Sequence, residues 1–597
     1  MSLVPIKRRR APKIVPNKIR WQSDVIVDLM RQYGFPYAAL NPGASYRGLH
    51  DSMVNYGQDY PQMILCPHEN IAVQIAHGYA KASGEPMIAI VHNLVGMLHA
   101  CMSIYYAYID KVPIFIVGAG GPMDTSIRRP RTDWNHIALV QGNALRDYTK
   151  WDDQPYGIKS VPQSFARCYE VMMTEPQGPI YICFDAQMLE SPMGDIKVDL
   201  PPAEAAKAPT RMAADPEALL KAAELLIAAK NPVILTDRSG RAPHGYANLV
   251  ALAETLQIPV IAGPARLNFP NRHHLDMSNG GRSDVLKNAD VILCLDALDW
   301  EKLSTTLESM TRTIVSLVPK SAKWINIGFH DIEISSWSTD YQRLLHSNLS
   351  ILADTSLAMP ELTRLLKGMI SKKPGAKAAI EARGQRIKKL HDAVVAKNMK
   401  AAKADWNASP MTLPRLALEV WECIKQEDWV LGTVDLHGWI GKLWDFDQPY
   451  RWPGQGLGTS TQIGISLGIA LANKGTGRLV VQIQPDGDLM FDPGALWVAA
   501  KYEIPILIVM FNNRAYFNDW EHQIRLAKQR GTPVERAHIG MDIAEPFVDF
   551  ASLARSMGVH GEGPIEHGKD VQAAVKRAIK VVKSGKPALV DTITRHR

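Results

Sequence analysis

Two apolar runs in the last third of the chain each end near a residue that could bind a cation. Leu479–Ile483 is followed by Asp486, and Pro505–Phe511 is followed by Asn513, 27 residues after the aspartate. Parallel strands bring their carboxyl ends to one edge of a sheet, where a carboxylate, an amide oxygen and the carbonyl of Ala515 could meet. Three protein oxygens leave three octahedral positions for phosphate oxygens and water, which suits Mg²⁺. Either residue alone would better suit an ordinary turn, so the prediction depends on finding both at this spacing.

The residues around the aspartate carry a resemblance to a known motif. The chain reads Pro-Asp-Gly-Asp from Pro485, and it resembles the diphosphate-binding motif of thiamine-diphosphate-dependent enzymes of the benzoylformate decarboxylase and acetolactate synthase type. Proline replaces the first glycine of that motif. Starting the motif two residues later would shorten the spacing to 25 residues and put the following Ala-Leu-Trp block out of register. The resemblance implies thiamine diphosphate and Mg²⁺ as cofactors, Asp486, Asn513 and Ala515 as metal ligands, and Asp486, Gly487, Asp488 and Asn513 as cofactor-binding residues.

A glutamate near the N-terminus fits the other half of the same resemblance. Glu69 opens a predicted helix that ends in Gly-Tyr-Ala, at the place where these enzymes carry their invariant glutamate. A carboxylate at N1′ of the aminopyrimidine favours its imino tautomer, whose nitrogen takes the C2 proton. The cofactor supplies the carbanion chemistry and the protein supplies orientation. The resemblance therefore implies that Glu69 is catalytic and binds the cofactor.

Histidines cluster around this helix. His92 follows the next predicted strand, 23 residues after the glutamate, where benzoylformate decarboxylase-like enzymes carry an active-site histidine. Acetolactate synthases more often have a Gly-Pro-Gly loop near here, which this chain lacks. Imidazole transfers protons near neutral pH, so His92 is the second predicted catalytic residue. For His68, His77 and His99 we favour a structural role.

Three loops add further candidates through the resemblance. Gly456 and Leu457 lie in a Gly-rich loop, where a bulky apolar residue props the cofactor into its bent shape. His437 follows another predicted strand and is expected to reach the diphosphate. Ser45 lies in a Pro-Gly loop on the substrate side, although a turn serine suits it equally.

The recurring pattern along the chain is a short β-branched run followed by a longer helix-like stretch. Continuous apolar strands that alternate with helices indicate parallel sheets covered on both faces, so the fold class is α/β. The predicted strands are Pro36–Leu40, Met87–Val91, Pro113–Val117, Pro179–Phe184, Pro232–Leu235, Pro259–Ile261, Val291–Leu295, Trp324–Ile327, Val430–Gly432, Leu479–Ile483, Pro505–Phe511 and Ala588–Asp591.

Breaks in composition divide this pattern into three doubly wound, parallel-sheet domains. We expect a pyrimidine-binding domain at 21–190, a central Rossmann-like domain at 211–367, a linker at 368–411, and a diphosphate- and metal-binding domain at 412–597. In the central domain Arg238 and Arg241 could bind a phosphate, but solvated surface is favoured for both.

Composition bounds the protein class. The 597 residues carry a net charge of +7, much of it in a basic tail at residues 1–20 that is predicted to be disordered. No apolar run reaches the length of a membrane span, and six cysteines without C-x-x-C spacing indicate free thiols of a cytoplasmic protein. We expect neither a nucleic acid nor a membrane as partner.

The resemblance covers the chain from about Trp21 onwards and implies a reaction class. This class is decarboxylation of a 2-oxo acid, carboligation through an enamine intermediate, or both, on a small 2-oxo acid or acyl substrate. A 2-hydroxyacyl-CoA lyase or an acetolactate synthase-like activity is the alternative with the same cofactor. A non-catalytic assembly protein on this scaffold is the alternative of another class. Because the cofactor of these enzymes spans two chains, the resemblance implies a homodimer or homotetramer with active sites at the interface.

Overall fold

The computed structural model describes residues 10–16, 18–127, 134–202, 208–333, 346–434, 436–456 and 458–596. Residues 1–9 of the predicted disordered tail and the candidate Leu457 lie outside these ranges.

The N-terminal part forms a six-stranded sheet, with every pair parallel and the order β2-β1-β3-β4-β6-β5. Its strands are β1 (Tyr37–Leu40), β2 (Gln62–Leu65), β3 (Met87–Ile90), β4 (Ile114–Gly120), β5 (Trp151–Asp153) and β6 (Ile180–Asp185). Its helices are α1 (Gln22–Gln32), α2 (Arg47–Asp51), α3 (Glu69–Ser83), α4 (Leu94–Ile109), α5 (Val161–Met173) and α6 (Ala186–Glu190). Successive residues of β3 enter different cores, since Ala89 packs with α3 and α4 while Ile88 packs with α1 and α5.

The central part forms a five-stranded parallel sheet in the order β13-β12-β9-β7-β8, with a separate antiparallel hairpin, β10–β11. The strands are β7 (Pro232–Thr236), β8 (Val260–Ala262), β9 (Val291–Leu295), β10 (Thr305–Glu308), β11 (Thr313–Ser316), β12 (Lys323–Gly328) and β13 (Leu349–Leu352). The helices are α7 (Pro216–Ala228), α8 (Gly245–Leu256), α9 (Arg282–Leu286), α10 (Trp300–Ser304), α11 (His330–Glu333), α12 (Thr355–Lys372) and α13 (Ala376–Ala402). The long helix α13 occupies most of the predicted linker at 368–411.

The C-terminal part forms a second five-stranded parallel sheet, in the order β14-β15-β16-β18-β17. The strands are β14 (Trp429–Leu431), β15 (Leu479–Pro485), β16 (Leu507–Asn512), β17 (His560–Ile565) and β18 (Ala588–Ile593). The helices are α14 (Leu413–Ile424), α15 (Trp439–Leu443), α16 (Gln462–Asn473), α17 (Asp486–Leu489), α18 (Gly494–Lys501), α19 (Phe517–Arg530), α20 (Phe550–Ser556) and α21 (Gly568–Lys583). The helix expected after Asp486 is thus divided into the four-residue α17 and the longer α18.

Glycines allow the N-terminal and C-terminal parts to pack closely through α3 and α16. A Cβ atom on Gly78 would lie 1.8 Å from the backbone oxygen of Ile465, and one on Gly468 would lie 2.1 Å from that of Ile75. Any larger residue would therefore push the two helices apart. This packing fixes the start of α3, where Glu69 lies, relative to the loop that precedes α16.

The predicted fold class is confirmed, since three parallel sheets alternate with helices. All twelve predicted strands coincide with strands of these sheets. Within the described residues, no helix combines the length and the apolar character that crossing a membrane would require.

Candidate active site

Asp486 begins α17 at the carboxyl end of β15. The neighbouring strand β16 runs parallel, with Pro485 opposite Phe511, so Asp486 and Asn513 leave the sheet at the same edge. The aspartate is 2% exposed, and its Oδ2 atom has no hydrogen-bond partner among the described residues. Burial raises the pKa of Asp486 to about 6, against the opposing effect of the backbone amides of Gly487, Arg514 and Ala515. A buried carboxylate with one unsatisfied oxygen is suited to a cation.

The turn after β16 is held in a fixed shape beside this carboxylate. The amide of Ala515 donates to Asn513 Oδ1 at 3.0 Å, and the amide of Tyr516 donates to the carbonyl of Met541 at 2.8 Å. The ring of Tyr516 covers Gly487 so closely that a Cβ atom there would lie 2.7 Å from a ring carbon. Glycine at 487 is therefore required by a close approach of side chain to backbone. The three predicted metal ligands, Asp486, Asn513 and Ala515, are neighbours in this arrangement.

Asp488 is directed toward a different loop. Its Oδ1 accepts the amide of Ser460 at 2.7 Å, and its Oδ2 accepts the amide of Gln462 at 3.3 Å and Nε2 of Gln484 at 3.1 Å. Burial raises the pKa of Asp488 to about 6. Both oxygens are thus engaged by the protein, and the predicted cofactor-binding residue Asp488 braces the chain that follows the Gly-rich loop.

The Gly-rich loop itself is anchored at Gly456. The amide of Gly456 donates to the carbonyl of Thr433 at 3.0 Å, and a Cβ atom there would lie 2.5 Å from Gln462 Oε1. His437 is exposed, and its ring packs edge-on at 5.9 Å from that of Phe511, at the end of β16. Gly456 and His437 therefore both lie at the carboxyl edge of the C-terminal sheet, where the metal candidates lie.

Sequence reasoning missed Asp492, which links the N-terminal and C-terminal parts of the chain beside the candidate residues. Its Oδ2 accepts Nδ2 of Asn70 at 2.8 Å, Nε2 of Gln74 at 3.0 Å and the hydroxyl of Ser460 at 2.5 Å. Asn70 is the residue after Glu69, so this buried network holds the start of α3 against the loop that Asp488 braces. The sequence signal was weak because a single aspartate in a turn has no distinctive spacing.

Glu69 is the first residue of α3 and is buried. His68 caps the helix, since its Nδ1 accepts the amide of Asn70 at 3.1 Å. A Cβ atom on Gly96 would lie 2.6 Å from Glu69 Oε1 and 2.6 Å from the Cβ of His92. The structure therefore brings the two predicted catalytic residues, Glu69 and His92, together at one glycine.

His92 follows β3 and contacts the substrate-side loop predicted from the sequence. Its Nδ1 lies 2.8 Å from the hydroxyl of Ser45. A Cβ atom on Gly43 would lie 2.4 Å from the same nitrogen, so the loop can approach the ring only because it carries glycine there. Ser45 and His92 form a hydrogen-bonded pair beside Glu69.

The three histidines for which a structural role was predicted differ in their contacts. His77 is buried and pairs with Asp110 at 2.8 Å, and burial lowers the pKa of its ring. His68 is the helix cap. His99, in contrast, places Nδ1 at 3.2 Å from Glu69 Oε2 and belongs to the candidate site. Its position seven residues after His92 placed it on α4, but the sequence did not show which face of that helix meets α3.

The prediction of solvated surface for the central arginines is wrong. Arg238 is 2% exposed, and Arg241 pairs with Asp296 at 2.5 Å and Glu175 at 3.0 Å. Two carboxylates hold the pKa of Arg241 well above its usual range, although burial alone would lower it. Arg241 is thus already neutralised by protein carboxylates.

Family models for the three domains of thiamine pyrophosphate enzymes match the chain. The N-terminal TPP binding domain matches residues 20–135, the central domain residues 219–350, and the C-terminal TPP binding domain residues 432–592. These ranges contain Glu69 and His92, the buried arginines, and Asp486 with Asn513, respectively.

Individual proteins resemble the chain over most of its length. It is 22% identical to the acetolactate synthase isozyme 3 large subunit of Escherichia coli K12, over 92% of this chain and 90% of that protein. It is 23% identical to acetolactate synthase 1, chloroplastic, of Nicotiana tabacum, over 98% of this chain and 83% of that protein. Among solved structures, benzoylformate decarboxylase from Polynucleobacter necessarius has a TM-score of 0.71 at 19% identity, covering 96% of this chain and 99% of its own. At this identity the structural likeness shows the fold.

Proposed function

Because this chain belongs to the thiamine pyrophosphate enzyme family, we propose that it uses thiamine diphosphate and Mg²⁺ to decarboxylate a 2-oxo acid, with or without carboligation of the product. The observation that carries the proposal is the unsatisfied buried oxygen of Asp486 beside the Asn513–Ala515 turn. Thiamine diphosphate, when bound, supplies the carbon nucleophile and stabilises the negative charge left by the departing carboxylate.

The donor set at Asp486 fits Mg²⁺. This hard cation prefers oxygen ligands in octahedral geometry and keeps positions for water and phosphate oxygens. Asp486 Oδ2, Asn513 Oδ1 and the carbonyl of Ala515 would supply the protein ligands. Gly487 would let the diphosphate approach the backbone, and His437 and Gly456 would lie at the rim of its site. Asp488 would act by bracing the loop that ends at Gln462.

Glu69 and His92 would divide the proton transfers between them. Glu69, buried at the start of α3, would hold the aminopyrimidine ring and exchange a proton with its nitrogen. His92, hydrogen-bonded to Ser45, would exchange a proton with the substrate or product. Ser45 would orient that imidazole and border the substrate.

The exposed surface around both half-sites supports a homodimer or homotetramer. In the single chain, apolar side chains are exposed beside each half, with Leu98 next to His99 on α4 at 51% and Phe491 shortly after Asp488 at 52%. A second copy of the chain that covered these residues would place its own half-site against them. This arrangement would form active sites at the interface.

An acetolactate synthase-like carboligation is the second candidate. It is favoured by the full-length similarity to acetolactate synthases. Decarboxylation is favoured by His92 with Ser45, which places a proton-transferring group beside Glu69. A 2-hydroxyacyl-CoA lyase and a non-catalytic assembly protein remain outcomes of the test below.

A substrate screen with matched variants tests the proposal. Purified protein is given thiamine diphosphate and Mg²⁺ with pyruvate, benzoylformate or a 2-hydroxyacyl-CoA, and carbon dioxide and products are measured. Glu69→Gln and Asp486→Ala serve as inactive controls, since each changes one half of the site. Cofactor-dependent release of carbon dioxide that both variants lose supports the proposal. Absence of cofactor binding in the wild-type protein would refute it and favour the assembly role.

A cytoplasmic location accords with the cysteines. All six are free and four are buried, as expected in a reducing compartment. Cell fractionation with antibody detection would test this part of the proposal.

A further inference from the structure

His99 contacts the carboxylate on which the proposed chemistry depends. Its Nδ1 lies 3.2 Å from Glu69 Oε2. The side chain of Glu69 is 7% exposed, whereas that of His99 is 57% exposed in the single chain. Because an ionised carboxylate only accepts hydrogen bonds, this contact requires the proton of the imidazole to be on Nδ1.

The neighbours of the pair confine it from several sides. Gly96 lies against Glu69 Oε1, since a Cβ atom there would lie 2.6 Å away. The ring of His68 stacks on that of His99, with centroids 4.9 Å apart and an angle of 25° between planes. His92 lies against the same glycine, and the hydroxyl of Tyr46 is close enough for the charge of Glu69 to oppose its ionisation. Each carboxylate oxygen of Glu69 thus has its own contact.

A metal ion is the competing explanation of this cluster, because one potential ligand atom from each of His68, Glu69 and His99 lies within 4.8 Å of the others. The hydrogen bonds disfavour it. His68 Nδ1 accepts the amide of Asn70, so the neutral ring carries its proton on Nε2 and has no lone pair left for a metal. Because the rings of His68 and His99 are stacked, their nitrogen lone pairs lie in nearly parallel planes and do not point toward one metal position. A hydrogen-bonded pair therefore fits the geometry better.

We propose that His99 is a positioning residue for Glu69, orienting its carboxylate through Nδ1–H and controlling how readily it exchanges a proton. The inference rests on the proposed role of Glu69. A histidine adds something that a neutral amide lacks, because its charge responds to pH and its ring reaches from the buried carboxylate to the surface of the chain. The other titratable groups that face Glu69 are Tyr46, His68 and His92.

Two substitutions separate hydrogen bonding from mere occupancy of space. The amide nitrogen of asparagine reaches about the position of histidine Nδ1, whereas that of glutamine reaches about the position of Nε2. His99→Asn should therefore keep the bond to Glu69, and His99→Gln, the matched control, should lose it. With cofactor bound, we expect C2 proton exchange to slow about tenfold in His99→Gln and to stay near the wild-type rate in His99→Asn at neutral pH.

The pH profile tests the charge. If the imidazole of His99 carries a positive charge beside Glu69, the wild-type exchange rate should persist to lower pH than that of His99→Asn, because a cation favours the ionised carboxylate. If the exchange rates of the wild type and His99→Asn fall at the same pH on acidification, the charge of His99 has no effect on Glu69. Equal rates in His99→Gln and His99→Asn would show that the hydrogen bond has none. Thermal melting would identify a variant that has failed to fold.

A measurement without cofactor separates this inference from the proposed function. Nitrogen-15 NMR of the histidine rings should show His99 protonated on Nδ1 in the wild-type protein and on Nε2 in Glu69→Ala. A failure of the wild-type protein to bind thiamine diphosphate would leave this result unchanged. His99 protonated on Nε2 in the wild-type protein would overturn the proposal, as would tight binding of added Zn²⁺ that both His99 variants lose.

Discussion

Replacing Asp486 by asparagine should stabilise the cofactor-free protein while removing its response to Mg²⁺. The carboxylate is buried and burial raises its pKa from 3.8 to about 6, so the folded state disfavours the charged form. When folding raises the pKa of an acid, the folded state loses stability as the pH rises from the pKa of the acid in the unfolded chain to its pKa in the folded protein. A rise of about 2 in the pKa corresponds to a loss of about 3 kcal/mol in the free energy of unfolding. This loss is nearly absent around pH 4 and complete above about pH 6.

The assay is thermal unfolding of wild type and Asp486→Asn across pH 4 to 8 without cofactor. The amide nitrogen of the variant takes the unsatisfied Oδ2 position and destabilises the folded protein. This destabilisation is the same at every pH, so it cancels when the difference between variant and wild type is compared at two pH values. Each kcal/mol moves the melting temperature of a domain of 150–250 residues by about 2–4 °C. The advantage of the variant should therefore grow by about 6–12 °C between pH 4 and pH 7. A difference that does not vary with pH would refute the reasoning.

The response to Mg²⁺ is tested with Asp488→Asn as the matched control. Thiamine diphosphate and Mg²⁺ at about 100 times their dissociation constant should stabilise the wild-type protein by about 2.7 kcal/mol. Asp486→Asn should lose this gain. Asp488→Asn should keep most of it, although its amide nitrogen would face one of the two backbone N–H donors, that of Ser460 or that of Gln462, and cost about 1–3 kcal/mol. If Asp488→Asn loses the metal response and Asp486→Asn keeps it, Asp488 is the ligand.

Three further predictions concern the rest of the site. Glu69→Gln keeps the shape of the side chain and removes its charge, so C2 proton exchange should slow by orders of magnitude while cofactor still binds; exchange at the wild-type rate would exclude Glu69. His92→Ala should lower turnover by about 10²–10⁴ with cofactor affinity nearly unchanged, and a fully active variant would return His92 to a structural role. Residues 520–542 follow the Asn513 turn and include most of α19. Every residue of α19 is described by the structure, and Ala527 alone among them is buried. If this segment is a lid, cofactor with a substrate analogue should slow its limited proteolysis, and equal cleavage with and without them would reject the lid.

The interior of each sheet could be predicted from the sequence, and the edges mostly could not. Continuous apolar runs identified every strand that has neighbours on both sides, because such strands are buried on both faces. The strands of the three parallel sheets that the sequence did not reveal are β2, β5, β13 and β17, and each lies at an edge. β5 contains two aspartates, and β17 contains a glutamate and two glycines, since an edge strand has solvent on one side and less need for apolar residues.

Within the site, motif spacing located the residues at strand ends but not those that act through tertiary contacts. Asp486 and Asn513 could be paired because strand order places them at one edge of a parallel sheet. Asp488 was grouped with them by proximity in sequence, yet its oxygens bind a loop that arrives from 26 to 28 residues away in the chain. The contact of His99 with Glu69 depends on how α4 rotates against α3. Such a contact is fixed by packing, and one sequence alone carries no signal for it.

The central domain contributes to the site through the Gly-rich loop, although no catalytic residue is proposed in it. Gln455, just before Gly456, donates its amide to the carbonyl of Pro264 at 2.9 Å and accepts Lys81 Nζ from α3 at 2.9 Å. Lys81 and Arg266 in turn meet on Asp110, at 2.7 and 2.8 Å, and these cations hold the pKa of Asp110 well below its usual range although burial alone would raise it. Removing one partner from such a buried group leaves an uncompensated charge and costs about 3–5 kcal/mol. The loop that would support the cofactor is therefore held from both sides by other domains, so the position of the central domain is a condition for the geometry of the site.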